Sequence, residues 1–205
     1  MFNINQHVDD AVLKPVARAY VQVVPHPVQT GVRNFFGNLG DVGSTANDFL
    51  QLDLHDGMDG FMRVGVNTTL GLGGVLDPAT EMHLDKRPND FGLTLARWGV
   101  GSGPYLVLPI LGPSTLRDAV GMVVEGVYAS PLSQVHVIAT RNALEALGVV
   151  NERARMLHTT DLLQQIALDP YLFTRDAYLQ MRHAEVQDVR QEGILQSEAS
   201  ASPSS

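Results

Sequence analysis

The segment from Trp98 to Leu116 constrains this chain more than any other, because it holds none of the four charged residue types over 19 residues. Its apolar character suits a membrane interior, but its four glycines and three prolines exclude a straight helix. In lipid, irregular backbone survives only where protein or a water-filled cavity satisfies its hydrogen bonds. The segment is therefore either a re-entrant element beside a polar cavity or a buried, loop-rich part of the core.

The overall composition excludes several classes of protein. The chain has 205 residues, which suits one domain or at most two small ones, and its formal net charge is −8. This charge argues against nucleic-acid binding and against attachment through a polybasic patch, since both need a basic surface. Only 18% of the residues are charged, below the roughly 25% of average soluble domains. Because the chain has no cysteine, it offers no thiol nucleophile, thiolate metal site or disulfide.

Apolar periodicity predicts an all-α fold. The segments with hydrophobic residues at helical spacing are 8–24, 28–42, 57–70, 114–127 and 134–157. Pro15 must kink the first of these helices or begin a second one. Ser114 is the expected N-cap of the helix over 114–127, and Asp169-Pro170 is typical of the start of a last helix.

The composition changes near the end of the chain. After Gln191 the sequence becomes polar and rich in serine. Such a segment cannot bury enough apolar surface to offset the entropy of ordering it. We therefore expect a single helical domain over 1–191 and a disordered polar tail over 192–205.

The sequence lacks the usual patterns for catalysis or for cofactor binding. The glycines at 99, 101 and 103 do not have the spacing of a dinucleotide-binding fingerprint, and Pro104 follows them. No two of the seven histidines are three to five residues apart, so a helical zinc pair is excluded. Ser102 does not lie in a G-x-S-x-G nucleophile elbow. We therefore expect no enzymatic activity, no catalytic residue, no metal and no cofactor.

The residues that flank the uncharged segment leave two interpretations open. Arg97 and Arg117 could contact lipid phosphates, or they could face solvent and pair with a carboxylate such as Asp118. Trp98 and Tyr105 could anchor the segment at a membrane interface, or they could pack in the core.

Several blocks of sequence occur in the order seen in one known family. The longest runs from Asn89 to Asp118 and contains NDFGLTLARWGVGSGPYLVLP and LGPSTLRD. The shorter blocks are Asn34–Leu39, Phe61–Arg63, Asn67–Asp77, Asp169–Tyr171 and Arg175–Tyr178. Together they resemble the VacJ/MlaA family of outer-membrane lipoproteins.

The resemblance implies an all-helical ring in the inner leaflet of a Gram-negative outer membrane, often beside trimeric porins. In this family, phospholipid misplaced in the outer leaflet passes through an amphipathic channel. It then reaches a soluble periplasmic carrier, which maintains lipid asymmetry without covalent chemistry. Family members carry a signal peptide and a lipidated cysteine before the first helix. Since this chain has no cysteine, it resembles the part that follows the anchor, and the anchor at the periplasmic face is inferred.

The same resemblance implies that the uncharged segment forms a bent hairpin, which lines or gates the channel. The residues expected in the hairpin are Trp98, Gly99, Gly101, Gly103, Pro104, Tyr105, Leu106, Leu108 and Pro109. Asn67 and Thr68 are expected as polar lining of the channel. The candidates for contact with acyl chains are Val28, Val32, Phe35 and Phe36, although the sequence also allows this stripe to pack in a core.

A second hypothesis belongs to another class of function. The apolar helix faces could instead bind a partner protein, which would make the chain a helical interaction module. This hypothesis predicts a purified chain that stays monodisperse without detergent and carries no phospholipid.

Overall fold

The computed structural model describes residues 1–129, 131–166 and 169–201, and it confirms the all-α fold class. The helices are α1 (Phe2–Val8), α2 (Lys14–Val23), α3 (His26–Leu50), α4 (Leu54–Thr69), α5 (Pro78–Glu81), α6 (Phe91–Arg97), α7 (Leu116–Val124), α8 (Ile138–Ile166) and α9 (Pro170–Ala201). The described residues form only one sheet, the antiparallel pair β1 (Tyr105–Leu108) and β2 (Gly112–Thr115).

The N-terminal helices run almost without interruption. A π-helical turn over Asp9–Leu13 joins α1 to α2, and Pro15 lies in the first turn of α2. A proline is tolerated there because the N–H groups of the first turn have no intrahelical partner. Pro15 therefore begins a second helix, one of the two expected outcomes. The second helix packs against α8.

Helices α3 and α4 pack against each other over much of their length. The apolar stripe expected over 28–42 lies in the longer α3, which continues to Leu50. Leu52 then takes a left-handed backbone conformation with a φ of 61°, which ends the helix. Asp53 starts α4, because its side chain accepts a hydrogen bond from the backbone N–H of Asp56.

The uncharged segment folds into a β-hairpin between α6 and α7. Tyr105 pairs with Thr115 and Leu108 pairs with Gly112, so the tip is formed by residues 109–111. The N-cap of α7 is Thr115, whose side chain accepts a hydrogen bond from the N–H of Asp118. The expectation that Ser114 caps this helix is wrong, because Ser114 is still paired in β2, opposite Leu106.

The last helix starts as the sequence indicates. The Asp169 side chain accepts hydrogen bonds from the N–H groups of Tyr171 and Leu172, and Pro170 is the first helical residue. This helix continues past residue 191 to Ala201. Residues 202–205 lie outside the described residues, and the division of the chain at residue 191 stays a prediction.

The interior of the protein is polar. Among the described residues, five buried side chains are hydrophobic, while sixteen are polar or charged. Large apolar side chains are instead exposed along α1, α2, α4 and α9. This distribution is the reverse of the one that water imposes on a soluble protein.

The molecule also has an open shape. Its accessible surface is 12676 Å². A compact chain of the same mass would expose roughly 9,400 Å² by the usual scaling of surface with mass. Within residues 1–129, 131–166 and 169–201, no helix has both the length and the apolar run that a membrane crossing needs.

Candidate functional site

The helices surround a cavity of about 1030 Å³. Part of the wall is the central part of α3, from Arg33 to Ser44, and another part is the middle of α8, from Glu145 to Arg155. Arg63 and Asn67 of α4 contribute a third side, and residues 86–89 a fourth. The lining mixes apolar side chains with charged and amide side chains, so the cavity is amphipathic.

A row of glycines forms the cavity face of α3. Gly37, Gly40 and Gly43 are three residues apart, which places them on one side of a helix, and all three line the cavity. A Cβ atom added at Gly40 or Gly43 would meet nothing within 4 Å. The glycines therefore keep this wall open, since any larger side chain would project into the empty space.

Next to this glycine row lies a buried ionic network centred on Arg63. Its Nε donates to Asp41 at 3.0 Å, and its Nη2 donates to Asp77 at 2.7 Å. Lys86 adds a second cation, 2.7 Å from the other Asp41 oxygen. The network holds α3, α4 and the segment after α5 together and presents both signs of charge at the cavity.

Asp77 is held in its charged form by this network. Burial by itself raises the pKa of Asp77, but hydrogen bonds from Thr80, Asn67 and Arg63 outweigh it and lower the pKa below the usual range. Asn67 donates to Asp77 at 2.9 Å and accepts from the N–H of Ala79 at 3.0 Å. The predicted lining residue Asn67 thus lies in the cavity wall and also fixes the charges beside it.

The predicted lining residue Thr68 lies beside this wall. Its hydroxyl accepts a hydrogen bond of 3.1 Å from the buried amide of Asn38, which does line the cavity. Thr68 itself is exposed and is not among the lining residues. Thr68 therefore holds the lining residue Asn38 in place without itself lining the cavity.

On another side of the cavity, Glu125 is a largely buried carboxylate. It accepts hydrogen bonds of 2.7 Å from the Asn47 amide and from the N–H of Phe91. Burial raises the pKa of Glu125, and these two hydrogen bonds only partly offset the effect. The carboxylate lies in the π-helical turn over 125–129 that follows α7.

The predicted hairpin residues lie in the turn after α6 and in β1. Gly99 and Gly103 take positive φ angles of 93° and 67°, which the chain needs to turn from α6 into β1. Gly101 and Pro104 are exposed in the same turn, Leu106 and Leu108 are half-buried in β1, and Pro109 is exposed at the tip. Trp98 is 54% exposed and packs edge-on against Phe91.

Tyr105 anchors the body of the hairpin. Its ring lies 6.3 Å from the ring of Tyr171 and 6.2 Å from that of Tyr178, both on α9. Burial raises the pKa of the Tyr105 hydroxyl. Residues 98–109 do not belong to the wall of the cavity. The hairpin was expected either to line the channel or to gate it. The structure does not show it lining this cavity, and gating stays a prediction.

The base of the hairpin carries a second ionic cluster. Asp118 accepts hydrogen bonds from Arg117, Arg182, Thr115 and Tyr178 at 2.7 to 3.0 Å. Arg182 also donates to Asp90 at the start of α6. The cluster ties α6, α7 and α9 together beneath the hairpin. Of the two interpretations of Arg117, contact with lipid phosphate or pairing with a carboxylate, the structure shows pairing with Asp118.

The four candidates for contact with acyl chains do not share one environment. Val28 is 52% exposed on α3, while Val32 and Phe35 are half-buried. The Phe36 ring instead lines the cavity and lies against Gly148 of α8. Phe36 was expected to face acyl chains but faces the cavity. The apolar stripe of α3 is wide enough that side chains at its two edges lie in different environments. Membrane contact of the other three stays a prediction.

Sequence analysis did not identify the glycine row or the two ionic clusters. The i, i+3, i+6 spacing of Gly37, Gly40 and Gly43 is a signal that could have found the first. The clusters join residues far apart in the chain, such as Arg182 and Asp90, and no local pattern reveals them.

Three carboxylates form a cluster with the spacing of metal ligands. The carboxylates of Asp53, Asp56 and Glu192 lie within 4.8 Å of one another. Arg87 pairs with Asp56, so a guanidinium already supplies positive charge there. The expectation that the protein needs no metal stays a prediction.

Comparison with known proteins agrees with this geometry. The family model described as MlaA lipoprotein matches residues 1–185. The intermembrane phospholipid transport system lipoprotein MlaA of Escherichia coli K12 is 40% identical over 187 residues, covering 89% of this chain and 73% of its own length. The Haemophilus influenzae protein of the same name is 36% identical over 192 residues, covering 91% of this chain and 75% of its own length.

Structure comparison gives the same result. A solved structure from work on the structural basis for maintenance of bacterial outer membrane lipid asymmetry has a TM-score of 0.78 to this chain. It is 36% identical, and the match covers 91% of this chain and 94% of the other. The cavity between the helices agrees with the expected ring-shaped fold. Together with the family model, these matches show that the chain belongs to the MlaA lipoprotein family.

Proposed function

We propose that this protein moves phospholipid between membranes and so maintains the lipid asymmetry of a bacterial outer membrane. Its relatives in Escherichia coli and Haemophilus influenzae are named for intermembrane phospholipid transport. The protein works as a passage and makes or breaks no covalent bond. Among the described residues, no serine or threonine hydroxyl is hydrogen-bonded to a histidine ring.

The polar interior beneath apolar helix faces is the observation that carries this proposal. Five buried hydrophobic side chains against sixteen buried polar ones, among the described residues, leave little apolar core to stabilise a soluble fold. Inside one leaflet of a membrane, the exposed apolar side chains gain acyl-chain neighbours and the polar interior is shielded from lipid. The same arrangement provides a polar route for a lipid head group.

The cavity suits a phospholipid head group because a charged or zwitterionic group is costly to move through hydrocarbon. The amides, the ionic network around Arg63 and the open backbone of the glycine row lower that cost. Apolar lining such as Phe36 and Leu39 accommodates the acyl chains of the same molecule. One molecule can thus pass with both of its parts solvated.

Arg33 is the side chain that we assign to the lipid phosphate. Three other cations line the cavity, but Arg63 and Lys86 pair with Asp41, and Arg155 pairs with Glu152. Arg33 is exposed and forms no ion pair with any other described residue. A guanidinium binds a phosphodiester through two parallel hydrogen bonds, which favours it over an ammonium for this contact.

We also propose the finer assignments that the family resemblance implies. The protein lies in the inner leaflet of the outer membrane, at its periplasmic face, beside a trimeric porin. It passes phospholipid to a soluble periplasmic carrier, and the hairpin gates the passage. The exposed apolar faces of α1 and α2 support contact with acyl chains.

The test is the phospholipid content of the outer leaflet in cells that lack the gene. We expect surface phospholipid to rise on deletion and to fall again when the full lipidated form is restored. An unchanged outer leaflet would contradict the proposal. The helical interaction module would then take its place, and it requires a purified chain that is monodisperse without detergent and free of phospholipid.

A further inference from the structure

Two asparagine side chains of α3 line the cavity with their amide oxygens unused. Asn34 and Asn38 are four residues apart, so they lie on one face of the helix, one turn from each other. The amide nitrogen of Asn34 donates to the carbonyl of Val75 at 3.2 Å, and that of Asn38 donates to the Thr68 hydroxyl at 3.1 Å. Among the described residues, no group donates a hydrogen bond to either amide oxygen.

The Asn38 amide is held in place by the glycine-rich turn after α4. Asn38 is only 5% exposed, and Gly74 of this turn has a φ of 91°. A Cβ added at Gly74 would lie 2.6 Å from the Asn38 Cβ and 2.8 Å from its Nδ2, so only glycine leaves room for the amide. Packing thus holds the amide with its nitrogen at Thr68 and its oxygen without a donor. A buried acceptor in this state costs free energy, which a donor on a molecule in the cavity would recover.

The chemistry of the two oxygens restricts what they bind. An amide oxygen only accepts hydrogen bonds, so a matching group must carry an N–H or an O–H. Among phospholipid head groups, ethanolamine ends in an ammonium group and glycerol ends in hydroxyls, and both can donate. Choline cannot donate, because its nitrogen is fully methylated. The oxygens of Asn34 and Asn38 therefore suit the first two head groups and not the third.

The net charge of the neighbouring wall does not make this distinction. Asp41 and Asp77 contribute two negative charges to the cavity wall, and Arg63 and Lys86 contribute two positive charges. These charges balance, and the ethanolamine and choline groups both carry one positive charge. Only hydrogen bonds to the head group can then separate the two.

The position of the two oxygens also fits the phosphate contact assigned above. Arg33 directly precedes Asn34 in the same wall, and the terminal group of a phospholipid lies a few bonds beyond its phosphate. We infer that Asn34 and Asn38 form a head-group subsite, which accepts hydrogen bonds from the terminal donor of a phospholipid and so favours ethanolamine and glycerol head groups over choline. This inference rests on the proposed transport function and adds the class of lipid to it.

A series of lipids with one charge and different numbers of donors tests the subsite. Phosphatidylethanolamine and its mono-, di- and trimethylated forms lose one N–H at each step, and the last is phosphatidylcholine. The full chain in detergent is offered equal amounts of all four with the same acyl chains, and the retained lipid is quantified by mass spectrometry. We expect about tenfold more phosphatidylethanolamine than phosphatidylcholine, equivalent to about 1.4 kcal/mol, with the other two between them.

Equal retention of the four lipids overturns the inference and leaves the proposed function intact, since the deletion strain tests that function separately. Asn38→Leu and Asn142→Leu form a matched pair of variants. Asn142 lies on α8, is exposed and is not part of the cavity wall. The preference should fall to about threefold or less in Asn38→Leu, where only Asn34 remains, and should stay at tenfold in Asn142→Leu.

Asn38→Asp keeps the acceptor and decides the question if Asn38→Leu does not fold. It has nearly the same shape as asparagine and adds a negative charge. The preference for phosphatidylethanolamine over phosphatidylcholine should persist, while retention of the anionic phosphatidylglycerol should fall about tenfold below that of the wild type. An unchanged preference in Asn38→Leu, or its loss in Asn38→Asp, overturns the assignment to Asn38. A wild-type chain that retains none of these lipids overturns the inference together with the proposed function.

Discussion

At the scale of single residues, the buried charges of Asp118 and Arg182 are each met by several partners. Burial by itself raises the pKa of Asp118, but hydrogen bonds from Arg182, Thr115 and Arg117 outweigh it and lower the pKa to about 2. Burial also acts against the charge of Arg182, and the carboxylates of Asp90 and Asp118 overcome it, so the pKa of Arg182 is raised. Each ion in this cluster therefore depends on the others.

We predict that Arg182→Met lowers the free energy of unfolding by about 3 kcal/mol at pH 7, because it leaves Asp118 buried with less compensation. The folded pKa of Asp118 lies below its unfolded value of about 3.9. The stabilisation is therefore present above about pH 4 and is lost as the pH falls towards 2. Urea unfolding in detergent, at pH 7 and at pH 3, measures both the loss and its decline.

The control for this prediction lies on the same helix. Arg175 forms an exposed pair with Asp176, so Arg175→Met should cost less than about 1 kcal/mol. Equal destabilisation by the two substitutions at pH 7 would mean that the cluster around Asp118 contributes no more than a surface pair.

At the scale of elements, the shape of the passage depends on the absence of side chains along one face of α3. The glycine row replaces a row of side chains with bare backbone, and residues of α8 line the same open space. Glycine costs about 1 kcal/mol in a helix interior, so each of these positions lowers the stability of α3. In return for this lower helix stability, the glycines leave free volume in the cavity.

We predict that Gly40→Phe obstructs the passage and raises surface phospholipid towards the level of the deletion strain. A Cβ at this position meets nothing within 4 Å, so the ring extends into the cavity without a clash at its first atom. Phenylalanine is also a better helix former than glycine, so a weaker helix cannot account for lost transport. The double variant with Gly43→Phe should have the stronger effect.

Gly65→Phe is the matched control in α4. A Cβ there also meets nothing within 4 Å, and Gly65 is not part of the cavity wall. We expect normal surface phospholipid in this variant. Normal transport in Gly40→Phe as well would show that lipid does not pass along the glycine row.

At the scale of the whole molecule, the exposed apolar faces and the polar interior predict that the protein enters a membrane surface. Trp98 is the single tryptophan of the chain and is half exposed beside the hairpin, so it reports on this contact without any labelling. On addition of phospholipid vesicles, its emission should move to shorter wavelength. Vesicles with brominated acyl chains should quench it by at least about twofold relative to unbrominated ones, since tryptophan favours the interfacial region.

The interaction module makes the opposite prediction for the same measurement. A soluble protein that hides its apolar faces against a partner would leave Trp98 in water when vesicles are added. Emission that is unchanged by both kinds of vesicle would therefore contradict membrane entry of the hairpin region.

The sequence by itself determined where the longer helices lie, because apolar periodicity and cap residues act over a few neighbouring positions. The short helices α5 and α6 lie outside the segments that periodicity predicted. Asp169-Pro170 starts α9 as its pattern indicates, and the glycines and prolines of 98–116 exclude a helix there and allow a hairpin. Ser114 shows the limit of such local signals, because pairing with a second strand overrode its tendency to cap a helix.

Only the tertiary structure decided which residues meet. Periodicity places Val28 and Phe36 on one stripe, but packing against α8 turned Phe36 into the cavity and left Val28 exposed. Asn67 was expected in the lining, while Arg63 and its carboxylates were not. Arg182 meets Asp90 across 92 positions of the chain. Such contacts follow from how the helices close around the cavity, because the energy of a buried charge depends on partners that no local pattern specifies.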